Sequence, residues 1–236
     1  MKALIKKMIN YALSPFVLRD YFQFARDSHS TKERFSLKIK DFYPQIKDKT
    51  LGTGFDRHYV YHTSWAARVL AETKPEKHID ISSSLYFSGI VSAFIPVDFY
   101  DYRPANLDLS GLNSHKGDLM NLPFEDTSLK SLSCMHTIEH IGLGRYGDKI
   151  DPDGDLKASR ELKRVLSVNG NLLVVLPVGE KSMIEFNAHR IYTYDQVLGM
   201  FEGLKLVEFS LIPEYEIKGG LIRNANKEQL VGAKYA

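Results

Sequence analysis

The sequence contains a single cysteine, Cys134, so no disulfide can form within the chain. Cys134 lies in an apolar stretch, where a free thiol behaves as a small buried hydrophobe, and a reducing, cytoplasmic setting is expected. No segment reaches the roughly eighteen uninterrupted apolar residues that a membrane-crossing helix requires. An excess of one charge is also missing. The 31 basic and 29 acidic side chains leave a formal charge of +2, with no long basic run, so an extended nucleic-acid surface is not expected. Neither repeats nor low-complexity tracts occur, which excludes a solenoid or a long disordered linker.

The remaining composition is that of a folded globular chain: 236 residues, 44% hydrophobic and 25% charged. Near the start, Leu4, Ile5, Met8, Tyr11 and Ala12 recur at helical spacing between Lys2, Lys6 and Lys7. That pattern suits a helix that packs on the domain or makes a peripheral contact with an anionic membrane. Asn10, Ser14 and Pro15 interrupt it, and no small-residue cleavage site follows, so no signal peptide is read. From about Asp20 to Thr53 the pattern weakens into short helices and loops. We read residues 1–75 as an N-terminal helical extension, and residues 76–236 as an α/β domain with a short C-terminal tail.

The apolar face of Trp65, Ala66, Val69 and Leu70 predicts a helix over Tyr59 to Thr73, stopped at Lys74-Pro75 because proline disfavours helix in the residue before it. His78 to Ile81 is short and β-branched, and Ile90 to Val97 reads as a second strand that ends in Asp98 to Asp101. A third strand leads into Gly117-Asp118, and Leu129 to Met135 reads as a buried fourth. Asp155 is expected to cap a helix carrying Ala158, Leu162, Val165 and Leu166, with Asn169-Gly170 as its stop and a strand over Leu172 to Pro177. Thr193 to Gln196 has the form of a capping box, followed by a helix and a strand near Leu204 to Phe209. Alternating helices and strands predict a doubly wound, mostly parallel sheet, whose ligands bind outside the carboxyl ends of the strands.

Gly117 to Leu129, Ser133 to His140, and Glu161 through Pro177 resemble, in that order, successive segments of the class I, Rossmann-like, S-adenosylmethionine-dependent methyltransferases. The stretches Phe55 to Tyr59, His78 to Tyr86 and Glu139 to Asp148 further resemble a methyltransferase-like family catalogued as a domain of unknown function. The resemblance implies S-adenosylmethionine as cofactor. Asp118 would accept from the adenine amino group and Asp101, or its rival Asp98, from the ribose hydroxyls. An ionised carboxylate offers acceptors alone and suits both tasks. Asp80, Ser82, Ser83, Ser84, Leu119 and His136 complete the expected cofactor site. The usual Gly-x-Gly turn after the first strand is replaced by Ser82-Ser83-Ser84, which keeps open a second reading as a non-catalytic binding or scaffold protein.

A proton must leave the acceptor during methyl transfer, and histidine titrates in the required range, so His140 is the leading base, with Glu139 and His136 beside it. His136-Thr137-Ile138-Glu139-His140 also spells the His-x-x-Glu-His pattern of a zinc hydrolase, which demands a continuous helix. Asp148, Asp151, Asp153 and Asp155 crowd like a cation loop, yet position twelve from Asp151 is Leu162, so a capped turn is the simpler reading and no metal site is assigned. His58 and His62 lie four apart and suit either a lid or packing. His189 and Arg190 would contact the substrate. The expected function is methyl transfer to an oxygen or nitrogen of a small or sugar-like acceptor, a glycan precursor for example, with a role in surface polysaccharide biosynthesis implied by the resemblance.

Overall fold

The computed structural model describes residues 15–28 and 35–236. The amphipathic segment from Leu4 to Ala12, and the membrane contact expected of it, lie outside the described residues. By internal packing the chain forms two units, residues 1–55 and 56–236. In the first, α1 (Pro15–Ser28) exposes Phe16, Phe22 and Phe24, and the Tyr21 ring meets Phe42 edge-on with centroids 5.6 Å apart.

The second unit opens with α2 (Arg57–Thr73). Asp56 caps it by accepting from the Tyr59 N–H at 3.0 Å, and Lys74, in the left-handed conformation, ends it before Pro75. Ala66 and Leu70 on its inner face are buried in a core shared with the sheet, so this helix is a layer of the α/β unit. The boundary between units therefore falls after Phe55 and not near residue 75.

Five parallel strands, β1 (His78–Ile81), β2 (Val97–Asp101), β3 (Leu112–Lys116), β4 (Leu129–Met135) and β5 (Leu166–Val175), lie in the order β3-β2-β1-β4-β5. Side chains alternate across a strand, which is how one sheet feeds two cores. Ile79, Ile81, Leu132 and Cys134 pack with Ala158, Leu162 and Val165 of α4 (Gly154–Val165) and Met200 of α5 (Tyr194–Met200). On the opposite face Val97, Phe99, Met135 and Leu173 meet α2 and the Phe87 and Val91 side chains of α3 (Leu85–Val91). Full burial of each large side chain contributes about 1.5–3 kcal/mol relative to exposure. With both faces covered, the sheet is doubly wound, as the alternation of elements predicts. A small antiparallel pair, β6 (Met183–Glu185) and β7 (His189–Ile191), follows β5.

Several local expectations are corrected. Ile90 belongs to α3, and β2 starts only at Val97, because Ser92 to Pro96 turn the chain between them. Helix α4 ends at Val165. Asn169 has the left-handed φ of 60° expected of it, but it lies inside β5, beside a register shift against β4 between Leu129 and Ser131. The N-cap of α4 is Asp153, while Asp155 is buried and accepts from the Tyr192 hydroxyl at 3.0 Å. Leu204 to Phe209 forms no strand. Leu204, Leu206 and Val207 are exposed, so no buried face pins a sixth strand, and only an isolated bridge links Leu211 to Ile222. The capping box at Thr193 forms as read, with the Gln196 N–H reaching the Thr193 hydroxyl at 3.2 Å and the Thr193 N–H reaching the Gln196 side chain at 2.8 Å.

Candidate functional site

Parallel strands end on one edge, and the loops that leave them enclose a cleft of about 660 Å³. Ser82, Ser83 and Ser84 after β1, Asp101 at the end of β2, and Asp118 and Leu119 after β3 line it. His136, Glu139 and His140 after β4 and His189 of β7 complete the expected set. Three expected residues do not reach it. Asp80 is fully buried within the sheet's α2/α3 side, where it accepts from the Ser133 hydroxyl at 2.6 Å and from Ser88. Asp98 sits near the amino end of β2, held by Lys77 at 2.5 Å and Asn113 at 3.0 Å. Arg190 is buried and donates to the backbone carbonyls of Ile141 at 2.7 Å and Pro152 at 3.2 Å, beside Asp155 at 3.7 Å. It props the loop that carries Glu139 and His140 instead of meeting a substrate.

The serine turn explains how the chain manages without the usual glycines. Ser82 adopts φ 55°, a left-handed geometry that glycine ordinarily supplies. Its hydroxyl donates to the Tyr100 carbonyl at 3.1 Å, and the Ser83 hydroxyl accepts from the Met135 N–H at 3.0 Å. Both hydroxyls thus tie the turn to β2 and β4. Asp101 and Asp118 each use one oxygen to accept a backbone N–H two residues on, from Arg103 at 2.7 Å and Met120 at 2.9 Å. These turns fix the carboxylates, and the second oxygen of each has no protein partner among the described residues.

Beyond β4, His136 takes φ 56° and a short 3-10 turn, Ile138–His140, follows. The continuous helix that a His-x-x-Glu-His zinc site needs is therefore absent from this segment. The His136 Nδ1–H donates to Glu139 Oε1 at 3.1 Å, leaving His136 Nε2 and Glu139 Oε2 buried without a partner among the described residues. A carbonyl can only accept, and the 2.7 Å contact of the Ala188 carbonyl with His140 Nδ1 is much shorter than the 3.3 Å approach of Arg145 Nη1, which donates to that same carbonyl at 2.8 Å, so the hydrogen lies on Nδ1 and the lone pair on Nε2. That Nε2 lies 3.8 Å from Glu139 Oε1. Burial pushes the His140 pKa down, partly opposed by the Glu139 charge.

Residues that sequence reasoning gave a lesser place complete the walls. The α2 amino end brings His58 and Tyr59 to the cleft, with His62 buried behind them and its ring centroid 4.8 Å from that of His136. Burial and the neighbouring His136 hold the His62 pKa down at about 4. Tyr235 enters from the C-terminal segment, and Arg103, Arg145, Tyr146 and Lys149 form the rim. Only the i, i+4 histidines gave advance notice, since the other contacts join segments far apart in sequence. In the acidic loop Asp148 accepts from the N–H groups of Gly142, Gly144 and Tyr146, while Asp151 pairs with Lys157.

Among solved structures, this chain is similar to a protein from Thermotoga maritima described as a SAM-dependent methyltransferase, possible histamine N-methyltransferase. The two share 14% identity and a TM-score of 0.50, over 72% of this chain and 86% of that one. The fold is that of the class I methyltransferases. Within this methyltransferase fold, further similarity reaches a putative methyltransferase of Haloferax volcanii, solved in complex with the Trm112 activator, at 20% identity and TM-score 0.48 over 66% and 72% of the two chains. YcgJ from Bacillus subtilis is similar at 16% identity and TM-score 0.46, over 65% and 75%. Residues 125–224 match a family described as Caenorhabditis protein of unknown function, DUF268. No curated protein matches the chain.

Proposed function

We propose that the chain is an S-adenosylmethionine-dependent methyltransferase acting on an oxygen or nitrogen of a small or sugar-like acceptor. The observation that carries this reading is the convergence, in one cleft, of half-used carboxylates at Asp101 and Asp118 with a histidine whose Nε2 lone pair is open. The residues present fit the cofactor. Asp101 and Asp118 offer acceptors for ribose hydroxyls and the adenine amino group, and the left-handed Ser82 turn keeps two serine hydroxyls bonded to β2 and β4. The unpaired, buried Glu139 Oε2 suits a cationic ligand, because an orphaned carboxylate oxygen in a low-dielectric wall is costly until a positive group or a donor meets it. The bound cofactor supplies an electrophilic methyl group on a sulfonium.

His140 Nε2 accepts the acceptor's proton, and Glu139 Oε1, 3.8 Å away, stabilises the imidazolium that results. Ala188 fixes the tautomer throughout. The lowered pKa of His140 keeps the ring neutral, and so competent as a base, at neutral pH. Incubating the chain with methyl-labelled cofactor and a pool of small metabolites and glycan precursors tests this. Label should pass to an acceptor, and His140→Gln should slow transfer about 10²-fold with cofactor affinity retained. An unaltered rate in His140→Gln would remove the base assignment.

A further inference from the structure

The rim of the cleft holds an arrangement that the cofactor reading does not use. Two guanidinium groups flank one ring: Arg103 lies 4.6 Å from the Tyr146 centroid, and Arg145 lies 5.1 Å from it. Arg145 is further fixed by donating to the Ala188 carbonyl at 2.8 Å, the same oxygen that orients His140. Lys149 lines the same stretch of wall. No salt bridge to Arg103, Arg145 or Lys149 is found among the described residues. Two of the acids lining the same cleft are engaged elsewhere, Asp148 by three backbone N–H groups and Glu185 by Lys234 at 2.7 Å.

Like charges gathered on one aromatic ring without a counter-ion repel one another, and an anion that bridges them converts the repulsion into charge-assisted hydrogen bonds. A planar fork of guanidinium donors suits phosphate oxygens in particular. Position adds the functional link, since the Tyr146 ring is also 5.6 Å from the His140 ring, edge to face. An anionic group held at Tyr146 would leave the remainder of the same molecule beside the proposed base.

Resting on the methyltransferase reading, we infer that Arg103 and Arg145, held about Tyr146, form an anion clamp, and that the methyl acceptor is a phosphate ester bound through its phosphate. Lys149 adds positive potential at the mouth of the cleft.

The test is calorimetric titration of the full chain, saturated with S-adenosylhomocysteine, with inorganic pyrophosphate at fixed ionic strength. Wild type should bind the probe, and Arg103→Ala and Arg145→Ala should each weaken it by roughly tenfold with S-adenosylhomocysteine affinity unchanged. Arg68→Ala, which removes the same charge from an exposed site outside the cleft, should change neither. Equal probe binding in all variants, or no probe binding to the saturated wild type, overturns the clamp. So does weaker binding of S-adenosylhomocysteine in the arginine variants with 5′-methylthioadenosine unaffected, which would give the guanidiniums to the cofactor's own carboxylate. Failure of wild type to bind S-adenosylhomocysteine at all is a separate outcome, and it defeats the methyltransferase reading itself.

Discussion

The polar chain buried between β1 and β4 and the cluster just beyond β4 use the same materials, a histidine, a carboxylate and their neighbours, to opposite ends. In the first, the Ser131 hydroxyl donates to His78 Nδ1 at 2.8 Å, and His78 Nε2–H donates to Ser133 at 2.9 Å. Ser133 passes its own hydrogen to Asp80, which also receives Ser88. Each polar atom of that chain is matched. In the second, Glu139 is 1% exposed yet keeps Oε2 unpaired, as His136 keeps Nε2. Buried polar groups are ordinarily satisfied, so the closed chain reads as structure, and the open cluster is where the proposed function places its chemistry.

The largest effect should come from opening the closed chain. Asp80→Ala strands Ser88, Ser133 and His78 in the core, and urea denaturation should show a loss of about 3 kcal/mol. A change below about 1 kcal/mol would show that the chain of hydrogen bonds adds little and would dissolve the contrast.

Acid should expose the same division. Burial holds His78 and His62 at about 4, below their ordinary 6.5, so the unfolded chain takes up protons in that window that the folded chain refuses. Stability is therefore fully present above pH 6.5 and is lost as pH falls toward 4. Asp80 acts in the reverse direction, because burial raises its carboxyl to about 6 and its contribution is present in acid and lost as pH rises through that value. Two imidazoles outweigh one carboxyl, and these three groups alone should give a net loss of about 4 kcal/mol in denaturation measured on acidification. Asp80→Asn should make the acid loss steeper; a shallower profile in that variant would contradict the assignment.

A smaller effect is expected in the open cluster. Glu139→Gln exchanges a poorly satisfied buried charge for a neutral amide, so stability should hold or rise by about 1 kcal/mol while methyl transfer falls. Destabilisation by several times that amount would make Glu139 a structural residue like Asp80.

The same contrast explains what was legible in the sequence. Period-two and period-3.6 patterns located β4, α2 and most of the sheet, because those patterns follow from burial, which also builds the cores. The strand ends then brought Asp101, Asp118, Glu139 and His140 to one edge. Whether an acid near such an end faces the cleft or the core depends on one residue of register, which separates Asp80 from the cleft, while Asp98 differs from Asp101 in lying at the opposite end of the same strand. Arg190 was similarly ambiguous, since a cation at a rim and a cation bracing the rim's backbone occupy the same stretch of chain. Arg103, Tyr146 and Tyr235 come together only through the fold. Leu204 to Phe209 misled for the reverse reason, an apolar composition with no neighbouring strand to bury it.

Calorimetric titration with S-adenosylhomocysteine bears most directly on the central claim, that the carboxyl edge of this sheet is a cofactor site despite its serine turn. We predict binding near the micromolar range in wild type and in His140→Gln, with affinity reduced at least about tenfold in both Asp101→Ala and Asp118→Ala. Absence of heat and of thermal stabilisation at millimolar ligand, with the wild-type chain folded, would contradict it and leave the methyltransferase fold serving another purpose.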